Sequence, residues 1–201
     1  TIGWAGLIFA VYAFNYLWAP IIDRVRFPWL TDKIGHRRSW IVMMQSIILL
    51  SLIFWSFVNP STNLALVISI GLIIAIASAT QDITVDALRI EQIGEHEGKS
   101  MQAGAAMAVV GWWTGYKLGG VIALNTAEYF QLKGLENSWQ ITFLILGVVV
   151  IACNIGLMFV NEPRTSERKE SQLETDKMIV GKLGYNNFAT KTFAWMTGTI
   201  I

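Results

Sequence analysis

Apolar residues run in five long stretches separated by short polar segments: roughly Gly3–Pro20, Ser39–Val58, Leu64–Leu88, Met101–Leu124 and Trp139–Val160. Each can cross a hydrocarbon core of ~30 Å as a helix rising about 1.5 Å per residue. Alternate connections then lie on the same side. One side receives the loop after Pro20, the loop after Leu88 and the tail after Val160; the other receives Asn59–Asn63 and Asn125–Ser138. The pattern predicts an all-α membrane protein with five spanning helices over residues 1–160. Asn59-Pro60-Ser61-Thr62-Asn63 reads as a tight turn. Asn161-Glu162-Pro163 ends the fifth helix, because proline cannot continue one. The stretch Arg164–Asn187 is rich in Lys, Glu, Ser and Thr, so 161–187 reads as a flexible or interfacial linker. Apolar residues resume at Phe188–Ile201, about 14 residues and too few to span. The chain is expected to be the middle of a larger protein, or the ordered part of one.

Charge orients this frame. Arg24, Arg26, Lys33, Arg37, Arg38, Arg89, Lys99, Arg164, Arg168, Lys169, Lys177 and Lys182 all fall on the first side. The second side holds Lys133 alone. Twelve against one is a strong positive-inside bias, so the first side is expected to face the cytoplasm. Trp4, Trp55 and Trp139 near the outer ends and Trp18, Trp29 and Trp40 near the inner ends fit interfacial aromatic belts.

Composition agrees. Hydrophobic residues make up 54% and charged residues 14%, against about 25% charged in soluble domains. The 15 basic and 14 acidic residues nearly balance and give no sign of nucleic-acid binding. Cys153 is the only cysteine, so no disulfide forms within the chain. There is no metal-ligand cluster, nucleophile triad, phosphate loop or nucleotide motif, and no cofactor is expected.

Three segments carry chemistry. In the first inner loop, Asp23-Arg24 closes one helix and Gly35-His36-Arg37-Arg38 opens the next. Acid and base flanking a short loop can form an ion-pair latch between helices. The plainer alternative is that Arg37 and Arg38 meet lipid phosphates. The second segment is Gln81-Asp82-Ile83-Thr84-Val85-Asp86-Ala87-Leu88-Arg89. Asp82, Asp86 and Arg89 share one helical face, which Ser78 extends. A charge at mid-bilayer costs roughly 2.5–3.5 kcal/mol even on the lenient insertion scale, so this face should look into protein or a wet cavity. Acids so placed suit proton exchange. The alternative is a structural ion-pair cluster at the inner end of the helix. The third segment is Gly115-Tyr116-Lys117-Leu118-Gly119, with Lys117 well inside the fourth stretch. An antiparallel turn near Gly94 puts Lys117 level with Gly71 rather than Asp82. Lys117 therefore needs another partner, a missing helix, backbone carbonyls or an anionic substrate, or else snorkels to the interface. Ala103, Gly111, Gly115, Gly119 and Ala123 form a small-residue row expected to pack against a neighbouring helix. Asn15, Gln45 and Asn154 are expected to act as interhelical glue.

The loop APIIDR…GHRRSW, the QDITVDALR segment and GYKLG, in this order, resemble the AmpG muropeptide permease family of the major facilitator superfamily and the related acetyl-CoA transporters. The resemblance covers most of Trp4–Pro163. It implies a partial major-facilitator fold: helices two to six of the N-terminal half over 1–160, the linker 161–187, and the start of helix seven at 188–201. It also implies proton-driven import of anhydro-muropeptides across a bacterial inner membrane. On that reading Asp82 and Asp86 couple protons. Gln81, Arg89, Tyr116 and Lys117 hold the anionic substrate. Asp23, Arg24, Gly35, Arg37 and Arg38 form a gating latch. The partners are the bilayer, protons, the anionic small molecule and the remainder of the same transporter. Acetyl-CoA or another anionic metabolite is the alternative cargo. A non-transporting membrane subunit is the alternative of another class, and intramembrane charge argues against it. An enzyme is the least supported reading.

Overall fold

The computed structural model of the chain describes residues 6, 10–58, 63–93, 98–157, 159, 160, 162, 165–184, 187, 190, 191 and 194. Among these there is no strand. Seven α-helices follow one another: α1 (Ala19–Arg24), α2 (Pro28–Ile34), α3 (His36–Ser56), α4 (Leu64–Ile93), α5 (Gly98–Leu132), α6 (Ser138–Leu157) and α7 (Thr165–Leu183). Among the described residues, three helices are long and apolar enough to cross a membrane: α3, α4 and α6. Helix α5 has the length, 35 residues or roughly 52 Å at 1.5 Å per residue, but a more mixed composition.

The first apolar stretch is not one continuous helix. Residues 10–14 are helical, Asn15–Trp18 tighten into a 3₁₀ turn, and α1 follows. Pro20 lies in the first turn of α1, where its missing N–H costs least, and the i→i+3 bonds just before it tighten the chain. The indole of Trp18 donates to Thr80 Oγ1 at 3.0 Å, tying this turn to α4.

Helix α3 is the centre of the bundle. It packs along α4 and α6; α5 lies mainly against α6 and touches α4 more lightly. Gly71, Ala75 and Ala79 repeat every four residues on α4, and all three are buried. That small-residue row, not the one on α5, is where helices come close. On α5 a Cβ added to Gly111, Gly115 or Gly119 would meet nothing within 4 Å, so the row expected to pack has no neighbour among the described residues. At Gly147 on α6 an added Cβ would stand 3.3 Å from Leu49 Cδ1, which places α6 tightly against α3.

Hydroxyls and amides inside the helices bond to their own backbone. Thr80 donates to Ile76 O at 2.7 Å, Thr84 to Thr80 O at 2.8 Å and Thr142 to Ser138 O at 2.9 Å. Asn154 also bonds within its own helix, to Val150 O at 3.3 Å, instead of bridging to a neighbour. Such i−4 bonds satisfy a donor where water is absent.

Aromatic rings cluster at both ends. Trp55 and Trp139 approach Phe143 with centroids at 4.8 and 6.2 Å, where α3 ends and α6 begins. Phe27 and Trp40 pair at 4.8 Å at the opposite, basic end.

The polar stretch read as a linker contains a 19-residue helix, α7. Its Glu, Lys, Gln, Met and Leu content favours helix once Asn161-Glu162-Pro163 has broken the preceding one. It ends at Gly184 (φ 65°), whose N–H bonds back to Val180 O at 3.0 Å. Its apolar residue Ile179 is fully buried. The turn residues 59–62 and most of 188–201 lie outside the described residues.

Candidate functional site

The basic end of the bundle is tied together by Arg37. This side chain is almost wholly buried, and its guanidinium meets two carboxylates from different elements. Nη1 lies 2.6 Å from Asp23 Oδ1 at the end of α1. Nε and Nη2 both donate to Glu91 Oε1 near the end of α4, at 3.0 and 2.9 Å. A planar fork can serve both acids at once, which one ammonium cannot.

Gly35 makes the approach possible. Its backbone sits at φ 96°, ψ 166°, a conformation open to glycine and strained for other residues. A Cβ there would run into the Glu162 carboxylate. That carboxylate accepts the backbone N–H groups of Arg37 at 2.8 Å and Arg38 at 3.1 Å. Helix α3 has no cap from its own preceding side chain, so Glu162, 125 residues away in sequence, supplies one. His36 is fully buried and lies 2.9 Å from Ile22 O. Trp40 donates to Val25 O at 2.9 Å.

Arg24 belongs to a different contact. It pairs with Asp176 on α7 at 2.9 Å, and Lys191 approaches the same acid at 3.8 Å. Of the five residues grouped by sequence at this end, Asp23, Gly35, Arg37 and the Arg38 backbone converge, while Arg24 holds α7. Glu91, Glu162 and Asp176 were missed. Glu91 and Glu162 are ordinary acids near helix ends and Asp176 lies within α7, and only the fold puts each beside its partner.

The second cluster lines a cleft between α4 and α5 of about 730 Å³. Gln81, Asp82, Val85, Asp86 and Arg89 come from α4; Ala105, Ala108, Val109, Gly111, Trp112 and Trp113 come from α5. Both acids are exposed to the cleft. Arg89 pairs with Asp86 at 3.1 Å and donates to Gly104 O on α5 at 3.0 Å. Gly104 permits that approach: a Cβ there would stand 2.6 Å from Ile93 Cδ1 and 3.5 Å from Arg89 Cδ. Arg89 Nε and Gln81 Oε1 are enclosed yet have no hydrogen-bond partner among the described residues. Among the described residues the arrangement offers a carboxylate without a cation, Asp82, beside one held by Arg89.

Lys117 is exposed and makes no ion pair among the described residues. Its Nζ lies 5.8 Å from the Trp113 ring centroid. Tyr116 stacks on Trp112 with centroids 5.9 Å apart and planes 8° from parallel, and Trp112 meets Trp113 edge-on at 5.1 Å. The two tryptophans carried no charge and no motif, so the sequence reading passed over them.

The sequence as a whole resembles known membrane transporters. A sequence model described as Major Facilitator Superfamily matches residues 1–201. The AmpG 4 protein of Rickettsia conorii is 32% identical over 184 residues, covering 91% of this chain and 42% of that protein. The anhydromuropeptide permease of Escherichia coli K12 is 29% identical over 196 residues, covering 98% of this chain and 36% of the permease. The AmpG 1 protein of Rickettsia conorii is 36% identical over 152 residues, covering 75% of this chain and 36% of that protein. The chain thus spans about two-fifths of the length of these relatives.

Proposed function

Because the chain belongs to the major facilitator superfamily, on its AmpG-type branch, we propose that it forms part of the N-terminal bundle of a proton-coupled importer of anhydro-muropeptides. The transporter lies in a bacterial inner membrane with its basic helix ends in the cytoplasm. The observation that carries the reading is the cleft between α4 and α5, where Asp82 stands near the Asp86–Arg89 pair on a helix long and apolar enough to cross a membrane. Charge in a spanning helix is costly and is retained where it handles ions or substrate.

In this mechanism Asp82 and Asp86 exchange the coupling proton. Arg89, Gln81 and Lys117 offer donors to the carboxylates of a muropeptide, and Tyr116 borders the same face. Arg89 is already engaged by Asp86, so protonation of that acid frees the guanidinium for an anion. Proton binding and substrate binding then favour each other, as symport requires. The Asp23–Arg37–Glu91 cluster is the latch. It joins the basic ends of α1, α3 and α4, and Glu162 adds the segment after α6. Alternating access loosens and remakes these contacts as the half-transporter rocks.

The test is uptake of labelled anhydro-muropeptide into proteoliposomes holding the full-length protein, with and without an inward proton gradient. Accumulation that collapses when the gradient is dissipated is the expected result. Equal uptake in both conditions would end the coupling assignment. Uptake of acetyl-CoA in place of the muropeptide would move the cargo to the related family.

A further inference from the structure

A second groove, of about 870 Å³, lies between residues 10–22, α3 and α4. It shares no lining residue with the acidic cleft and uses another face of α4, marked by Leu72, Ile76 and Thr80. Its walls are aliphatic and aromatic except at Thr80 and the indoles of Trp18 and Trp40. Those polar groups are already engaged. Trp18 donates to Thr80 Oγ1 at 3.0 Å, Thr80 to Ile76 O at 2.7 Å and Trp40 to Val25 O at 2.9 Å. A polar occupant would give up water and gain no hydrogen bond from these walls, so the groove suits a hydrocarbon. Phe14, Ile73 and Ile76 on its walls are about half exposed, which leaves it open at the side.

The depth of the groove is that of one leaflet. Helix α4 starts at Leu64, at the end opposite the basic one. Leu72 is then about 12 Å along it and Thr80 about 24 Å, at 1.5 Å per residue. In a hydrocarbon core of ~30 Å the groove lies mainly in the half nearer the basic end. Trp40, close to the start of α3, marks its mouth there and meets Phe27 with centroids 4.8 Å apart. Phe27 leads into α2, where the buried Thr31 accepts the Phe27 N–H at 3.2 Å. Trp29, two residues before Thr31, is on the other side of α2 and is 80% exposed. Lys33 Nζ stands 4.5 Å from its ring centroid. Lys33 is exposed and pairs with no acid among the described residues. Its neighbour Asp32 lies about 100° further round the helix. Arg37, by contrast, is buried between Asp23 and Glu91 and has no charge to offer a lipid phosphate.

We infer that the groove and α2 form a site for one anionic phospholipid in the leaflet at the basic end: an acyl chain fills the groove, and the phosphate meets Lys33 beside the Trp29 ring. Charge and shape select this occupant together. A free anion would leave the groove empty, and an uncharged apolar molecule would leave Lys33 unpaired. A zwitterionic lipid carries its own cation beside the phosphate and gains less from the lysine. An indole at this level bridges tail and headgroup, as interfacial tryptophans do. The site needs only that the helices span a membrane and does not depend on what is transported.

The experiment titrates delipidated full-length protein in detergent with dioleoyl phosphatidylglycerol and, separately, with dioleoyl phosphatidylcholine. Native mass spectrometry follows the first lipid bound. The wild type should take phosphatidylglycerol about fivefold or more tightly than phosphatidylcholine. Lys33→Gln should bring the two lipids level, and Lys33→Arg should keep the preference. Ile73→Trp, which puts an indole into the groove, should weaken both lipids about fivefold or more. Lys33 and Ile73 are exposed, so both variants should unfold at the wild-type temperature in lipid-free detergent. That check separates lost binding from lost folding. Equal affinity of the wild type for the two lipids overturns the headgroup site and with it the proposal. A preference that survives Lys33→Gln assigns the anion to other cations and overturns it as well. Lipid binding untouched by Ile73→Trp shows that the groove is not the acyl site, whether another part of the full-length protein covers it or the lipid sits elsewhere, and the proposal falls.

Discussion

The Glu162 carboxylate sits on the N-terminus of α3 and accepts the backbone N–H of Arg37 at 2.8 Å. Its second oxygen takes the next N–H, that of Arg38, at 3.1 Å. A residue just past the end of α6 therefore closes the start of α3 and brings negative charge to its positive dipole end. The side chain of Arg37 meanwhile holds α1 and α4. One residue joins four parts of the bundle through backbone and side chain together.

Removing that cap should cost stability rather than assembly. Glu162→Ala leaves two helix N–H groups without their acceptor and should destabilise the protein by about 1–2 kcal/mol, with Glu162→Gln losing less. Thermal unfolding in detergent checks the order wild type, Gln, Ala. A Gln variant less stable than Ala would contradict capping.

Gly35→Ala should be worse than its size suggests. The backbone at φ 96°, ψ 166° is strained for alanine, and the new methyl group meets the Glu162 carboxylate. The strain alone is of order 1–3 kcal/mol. In the double variant Gly35→Ala/Glu162→Ala the clash is gone and the strain remains. Its loss should therefore be smaller than the sum of the two single losses, as measured by the same unfolding assay.

Arg37→Ala leaves Asp23 and Glu91 without the cation that separates them. Breaking a buried pair costs about 3–5 kcal/mol, and the partial exposure of both acids should bring the loss toward the low end. Arg37→Lys should recover only part, because one ammonium cannot reach both carboxylates. Adding Glu91→Ala to Arg37→Ala should restore stability. No restoration would show that Glu91 does not depend on Arg37.

Asp82→Asn and Asp86→Asn should remove gradient-driven accumulation while leaving energy-independent exchange of substrate across the membrane. Counterflow and uphill uptake in the same vesicles separate the two activities. Normal accumulation in both variants would show that neither acid carries the proton.

Lys117→Gln should change stability by no more than about 0.5 kcal/mol, because the ammonium is exposed and pairs with no acid among the described residues. Substrate affinity should fall, and Lys117→Arg should keep most of it. A large stability loss with unchanged affinity would make Lys117 a structural residue paired to a further helix.

The helical frame was readable because its cause is local. A stretch of about 20 apolar residues must satisfy its own backbone in lipid, and a helix is how one segment does so. The positions of α3, α4 and α6 follow from that rule. The break at Asn15–Trp18 was less legible, although Pro20 is its visible cause. Helix α7 was hidden because its composition serves equally well as a solvated linker, and its buried Ile179 is a single position. The small-residue row on α5 shows the limit of spacing: Gly71, Ala75 and Ala79 on α4 have the same period, and spacing cannot say which row meets a neighbour.

The sequence by itself determined that this is an all-helical membrane protein, where its apolar spans lie, which helix ends are basic, and that Asp82, Asp86 and Arg89 share a face. Those properties depend on lengths of chain, on the period of a helix and on the cost of dehydrating charge. The tertiary structure decided that Arg37 joins Asp23 to Glu91, that Glu162 caps α3, that Arg24 turns to Asp176, and that Trp112 and Trp113 border the acidic cleft. Each of those pairings joins different helices. Which acid reaches an arginine depends on how helices stack and turn about their axes, and that is set by packing summed over the whole bundle.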